Sequence, residues 1–280
     1  MIGTMVTRII TAVVGIAIAI GVLFLSATPV YNLTVAAIAV IMLYELLSAC
    51  KCIQHKFHSV VCFAFAAVMP FLLEIEGMEI KYIVSTLCIF LVFIGYIAEH
   101  KTITFEKICC MLAVTLLTTL SMCCLVSLKN LDGTHGICYV ILCLAGAWLG
   151  DSGAYFVGTF FGKHKLCPDI SPKKTVEGAV GGVITVGLVF AVYAFFYRMV
   201  MGYRGIPFEV NYLYLVLMGF GCGVLGIVGD LSASLIKRQF GIKDFGNIMP
   251  GHGGLMDRFD SVLFVAPFMM FTISHVTLFR

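Results

Sequence analysis

Charge is what this sequence has least of. Asp, Glu, Lys and Arg supply 12% of its residues while apolar types supply 61%, and mean hydropathy is +1.05. A water-soluble domain cannot solvate that much apolar surface, so soluble enzymes and soluble binding modules are excluded. The net charge of +3 gives no reason to expect a nucleic-acid partner. Also absent are a Walker A loop, HExxH, GxSxG and any CxxC or Cys/His zinc spacing, which removes the common nucleotide, metalloprotease, hydrolase and zinc-binding signatures. The twelve cysteines lie mostly inside apolar runs, including the pairs Cys109-Cys110 and Cys123-Cys124, and read as small hydrophobes rather than a disulfide framework. A GxGxxG match at 221–226 follows no strand and sits within an apolar run, so a dinucleotide fingerprint is rejected. The first apolar run lacks a convincing small-residue cleavage site and is expected to anchor the chain.

What is present is a series of runs, each near the ~20 residues that cross a bilayer. They fall at 9–27, 31–49, 58–74, 80–98, 108–128, 136–157, 179–200, 211–230 and 261–279, and the third is short and carries Pro70. The expected fold is all-α, a polytopic integral membrane protein with about nine transmembrane helices and charged cytoplasmic loops. If the nine alternate, 13 of the Lys and Arg residues fall on one side and 5 on the other. The positive-inside rule then places the N-terminus and the loops 151–178 and 231–260 in the cytoplasm, with the C-terminus outside. Helices one to five (1–135) read as a scaffold; four helices and the two loops (136–280) read as the catalytic region. Glu45, near the inner end of the second run, either reaches the interface or serves function.

The charge concentrates in one stretch. Between 230 and 261 stand Asp230, Lys237, Arg238, Lys243, Asp244, His252, Asp257, Arg258 and Asp260. Aspartate oxygens are hard ligands suited to Mg²⁺, and Lys and Arg neutralise phosphate oxygens. The alternative is a solvated loop of surface ion pairs docking anionic headgroups. Gly246, Gly251, Gly253 and Gly254 flank His252 and allow close backbone approach, which an ion-pair loop does not need. Carried inward, the eighth helix would align Asp230, Ser234 and Lys237 or Arg238 on one stripe, and Asp257 and Asp260 would share a face at the start of the ninth. Upstream, Asp151 stands four residues before Tyr155, among small residues that suit helix packing equally well. Ser171-Pro172 reads as an N-cap and first helical residue, leaving Lys173 and Lys174 in a first turn where cations are disfavoured unless an anion comes there. A plain juxtamembrane basic cluster is the competing reading.

Four segments carry a resemblance: Ser234-Leu-Ile-Lys-Arg238, Lys243-Asp244-Phe-Gly246, Pro250-Gly-His-Gly-Gly254 and Asp257-Arg-Phe-Asp260. Together they resemble the signature of phosphatidate cytidylyltransferases, also called CDP-diglyceride synthases, with Met249 where Leu or Ile is commoner. Gly158 to Leu166 and Ile170 to Gly178 resemble a second region of the same family. The resemblance implies transfer of the cytidylyl group of CTP to phosphatidic acid, giving CDP-diacylglycerol and pyrophosphate. It further implies a metal site at Asp230, Asp257 and Asp260 with Mg²⁺ as the cofactor, and a homodimer in the inner membrane with its active site facing the cytoplasm. Lys237, Arg238 and Lys243 would hold triphosphate or lipid phosphate; Ser171, Lys173, Lys174 and Asp151 would add to that site, and His252 would donate to a phosphate or brace the glycines. A CTP-dependent polyprenol kinase would use similar loops but transfer the γ-phosphoryl group. A transporter would place its ionisable residues at the bilayer midplane rather than at one face.

Overall fold

The computed structural model describes residues 2–251 and 253–279. Its helices are α1 (Ile2–Phe24), α2 (Pro29–Ala49), α3 (Lys56–Leu72), α4 (Glu79–Ala98), α5 (Phe105–Leu131), α6 (Gly136–Phe161), α7 (Val176–Tyr203), α8 (Tyr212–Gln239), the short α9 (Met256–Phe259) and α10 (Val262–His275). The strands β1 (Lys165–Cys167) and β2 (Ser171–Thr175) pair antiparallel between α6 and α7. Among the described residues, six helices are long and apolar enough to cross a membrane: α2, α4, α5, α6, α7 and α8. The protein is therefore an integral membrane protein. α3 and α10 have 17 and 14 residues; at a rise of 1.5 Å they reach only about 26 and 21 Å, short of a ~30 Å hydrocarbon core. Each contains a proline, Pro70 and Pro267, that remains within the helix.

The chain divides into two compact units, residues 1–127 with 239–258, and residues 128–238 with 259–280. The glycine-rich segment thus belongs with the N-terminal helices. In this first unit Phe65, Met69, Cys88 and Cys123 form a buried cluster from α3, α4 and α5, and the Tyr31 hydroxyl of α2 donates to the Leu125 carbonyl of α5 at 3.0 Å. α2 begins at Pro29 because Thr28 caps it, its side chain accepting from the Val30 amide.

The second unit is built on close helix contact through small residues. A side-chain carbon at Gly182 would lie 2.8 Å from the Gly150 carbonyl, and one at Gly219 would lie 2.9 Å from Cα of Gly187. Those approaches draw α7 against both α6 and α8, the use of glycine expected where lipid offers no hydrophobic drive. Phe190, Leu142, Leu215 and Leu263 fill the space left between them. All twelve cysteines are free.

Two readings of the sequence are corrected. Ser171 and Pro172 do not start a helix; they lie in β2, and Thr175 is the true cap of α7, its Oγ1 accepting from the Gly178 amide at 3.1 Å. Lys173 and Lys174 are consequently strand residues. Asp257 and Asp260 do not share one helix either, because α9 stops at Phe259 and α10 starts only at Val262.

Candidate functional site

In the second unit the hairpin delivers Lys174 to α8, where its ammonium pairs with the Asp230 carboxylate. Arg238, two turns further along α8, donates through Nε to the Ile170 carbonyl at 3.3 Å and ties the helix to the hairpin turn. The α8 stripe foreseen from Asp230 to Lys237 exists, since α8 runs unbroken to Gln239. Asp260 lies just before α10 and is only 5% exposed. Burial, and then the negative charges of Asp230 and Asp151, push its carboxyl up to about 7; the Ser261 amide and Lys237 oppose the shift. That amide reaches Asp260 Oδ1 at 2.7 Å, and the Ser261 hydroxyl anchors on the Gly226 carbonyl of α8 at 3.0 Å. Gly229 permits the approach, because a side-chain carbon there would lie 2.6 Å from the Asp260 carbonyl. Asp151, Asp230, Asp260, Lys174 and Lys237 therefore form one electrostatic neighbourhood drawn from four parts of the chain. Ser171 and the exposed Lys173 occupy the same strand as Lys174.

The carboxylates of this neighbourhood are oxygen donors of the type that Mg²⁺ takes. Among the described residues no three His, Cys, Asp or Glu side chains are set to enclose a metal ion unaided. Mg²⁺ does not require such a cage, since one or two carboxylates with water and substrate phosphate normally suffice. Asp260, a buried carboxylate facing two others, is a group that a nearby cation would stabilise.

In the first unit the 243–258 loop borders an open pocket of about 570 Å³ lined by Lys243, Asp244, Asn247, Met249, Pro250, Gly251, Gly253 and Arg258. Asp257 closes the loop: its Oδ2 accepts from the amides of Phe245 at 2.8 Å and Gly254 at 3.0 Å. Gly253 has φ of +85°, a conformation few side chains adopt, and packs on that same oxygen. Thr11 of α1 adds a bond from its Oγ1 to the Pro250 carbonyl at 3.2 Å. His252 lies outside the described residues. Glu45 is 2% exposed and accepts the amides of Leu255 at 3.0 Å and Met256 at 2.7 Å. It sits some 210 positions from its partners, a separation that no periodicity or local motif reports.

The two units thus define a class: a polytopic membrane protein whose polar groups are carboxylates and cations of the kind that handle phosphate. Residues 6–276 match the model of the cytidylyltransferase family. A phosphatidate cytidylyltransferase of Bacillus subtilis is 36% identical over 201 residues, covering 72% of this chain and 71% of that protein. Those of Staphylococcus haemolyticus and Staphylococcus aureus are 46% and 42% identical over 138 residues, 49% of this chain and 48% of each relative, so the matched stretch spans about half of the staphylococcal proteins. The chain belongs to the cytidylyltransferase family.

Proposed function

We propose that this protein transfers the cytidylyl group of CTP to phosphatidic acid, releasing pyrophosphate and forming CDP-diacylglycerol for phospholipid synthesis. The observation that carries the proposal is the family match along nearly the whole chain, joined to the Lys174–Asp230–Asp260 neighbourhood. In the reaction an oxygen of the lipid phosphate bonds to the α-phosphorus of CTP, and the bond from that phosphorus to the β-phosphate oxygen breaks. No dedicated base is required, since a phosphate monoester is already ionised near neutral pH. The difficulty is bringing two anions together, and cations offset that repulsion. Lys173, Lys174, Lys237 and Arg238 supply positive charge in the second unit. Lys243 and Arg258 supply it in the loop pocket, whose volume lies in the 300–1,000 Å³ range of small-ligand sites and to which we assign nucleotide phosphates.

Asp230 and Asp260 are the residues assigned to hold Mg²⁺. When bound, the ion would neutralise phosphate oxygens and polarise the phosphorus under attack. Asp257 is assigned to the loop, because its Oδ2 is already engaged by two amides. The family resemblance extends the proposal to a homodimer in the inner membrane with its reaction on the cytoplasmic side, where CTP is available; the Lys and Arg distribution supports that orientation. The test uses purified protein in detergent micelles containing phosphatidic acid. Pyrophosphate should appear in step with CDP-diacylglycerol, stop on chelation and resume with Mg²⁺. Turnover unaffected by chelation would contradict the metal assignment.

A further inference from the structure

Glu45 is a buried carboxylate inside an apolar helix, a placement that costs several kcal/mol unless the charge is met by hydrogen bonds. Two backbone amides meet it. Oε1 accepts from Leu255 and Oε2 from Met256, so both oxygens fasten the segment that leads into α9. The loop is cast closely around this group. A side-chain carbon at Gly254 would lie 2.6 Å from the Glu45 carboxylate, and one at Gly246 would collide with Oε1. Two of the four glycines in the motif are thus accounted for by one side chain of α2. With Asp257 holding Phe245 and Gly254, the loop is fixed by two carboxylates, one from within and one from α2. The residues whose positions follow from that bracing include Lys243 and Arg258, which line the pocket.

We infer that Glu45 is a positioning residue for the reaction, acting through the 243–258 loop to hold Lys243 and Arg258 where they bind nucleotide phosphate. The inference rests on the assignment of CTP to this loop. Glu45 has no place among the cations and carboxylates that we assign to phosphate or metal; both of its oxygens engage backbone amides. Replacing it by Gln preserves volume and one acceptor oxygen but puts an NH₂ group against an amide donor, so one of the two ties is lost. A charge-assisted bond contributes about 1.5–3 kcal/mol, which corresponds to roughly a 10- to 150-fold change in an equilibrium constant.

The decisive experiment compares wild type, Glu45→Gln and Gly246→Ala, purified in detergent, by labelled-CTP binding and by steady-state kinetics. The inference expects the Kd and KM for CTP to rise at least tenfold in Glu45→Gln while kcat falls less than threefold and the KM for phosphatidic acid stays unchanged. Gly246→Ala, which presses a methyl group onto the carboxylate without removing it, should show the same selective loss. Wild-type Kd and KM in Glu45→Gln would overturn the inference, as would a fall in kcat and thermal stability with KM unchanged. If Glu45→Gln fails to accumulate, Gly246→Ala decides, and a wild-type KM there counts against the role. A wild-type protein that binds CTP but forms no CDP-diacylglycerol would refute the proposed reaction and leave Glu45 to be judged by Kd; one that binds no CTP would refute both.

Discussion

Asp260 shows most clearly how function and stability pull apart at one side chain. Its carboxyl, ordinarily near 3.8, is pushed up to about 7 by burial and by the facing charges of Asp230 and Asp151. The folded state therefore holds this proton more tightly than the unfolded chain does. Stability from this group is fully present below about pH 4 and is lost as pH climbs toward 7, by an amount on the order of a few kcal/mol. Asp260→Asn removes the charge and should abolish turnover, yet in the absence of divalent cation it should melt higher than wild type at pH 8. Thermal denaturation at pH 5 and pH 8 with parallel assays checks both halves; a lower melting temperature for the Asn variant at pH 8 would contradict the account. Asp230, Asp260, Lys243 and Arg258 all stand out in the sequence as candidates, because charge inside an apolar chain is rare. The backbone partners of Glu45 and Asp257 cannot be read there. Each spends its carboxylate on backbone amides, and a sequence records which side chains exist but not which amides are left without partners in a loop.

The β-hairpin carries the next scale of the argument. Ser171-Pro172 and Thr175 both have the chemistry to start a helix, and the choice between them depends on pairing across the turn, with Lys165 opposite Thr175 and Cys167 opposite Ser171. Local propensity cannot see that ladder. Its consequence is functional, for a strand carries Lys174 to Asp230, whereas the first turn of a helix had been expected to present both lysines to an anion. Lys174→Gln should then lower kcat/KM at least tenfold, and Arg should restore only part of it, because a planar fork does not replace a compact ammonium. Lys173→Gln, at an exposed strand position, should have the smaller effect; equal and wild-type constants in both would remove the hairpin from the active site. Thr175→Ala deletes the α7 cap and should cost about 1 kcal/mol of stability, read as a lower melting temperature. The glycines of α7 and α8 form a packing face, Gly182 against Gly150 and Gly219 against Gly187, the use that small residues find in lipid.

Across the whole molecule, the all-α membrane character followed directly from apolar run lengths, and each of the nine runs holds a helix among the described residues. The number of crossings is a harder question. Among the described residues six helices meet the length and apolarity of a span, while α3 is as short as its own run and α10 stops at His275, leaving Val276, Leu278 and Phe279 outside the helix although hydropathy alone counts them as apolar. Nine crossings predict that a cysteine at Gln239 and a cysteine appended after residue 280 are alkylated from opposite sides of the membrane, in a background where native cysteines are replaced. Labelling of both from one side would refute that topology. The reaction itself is tested most directly by supplying CTP labelled at either the α or the γ phosphorus, with phosphatidic acid and Mg²⁺. The account predicts that α label enters the lipid fraction as CDP-diacylglycerol while γ label leaves as pyrophosphate; transfer of γ label to a lipid, with α label remaining in soluble CDP, would contradict it.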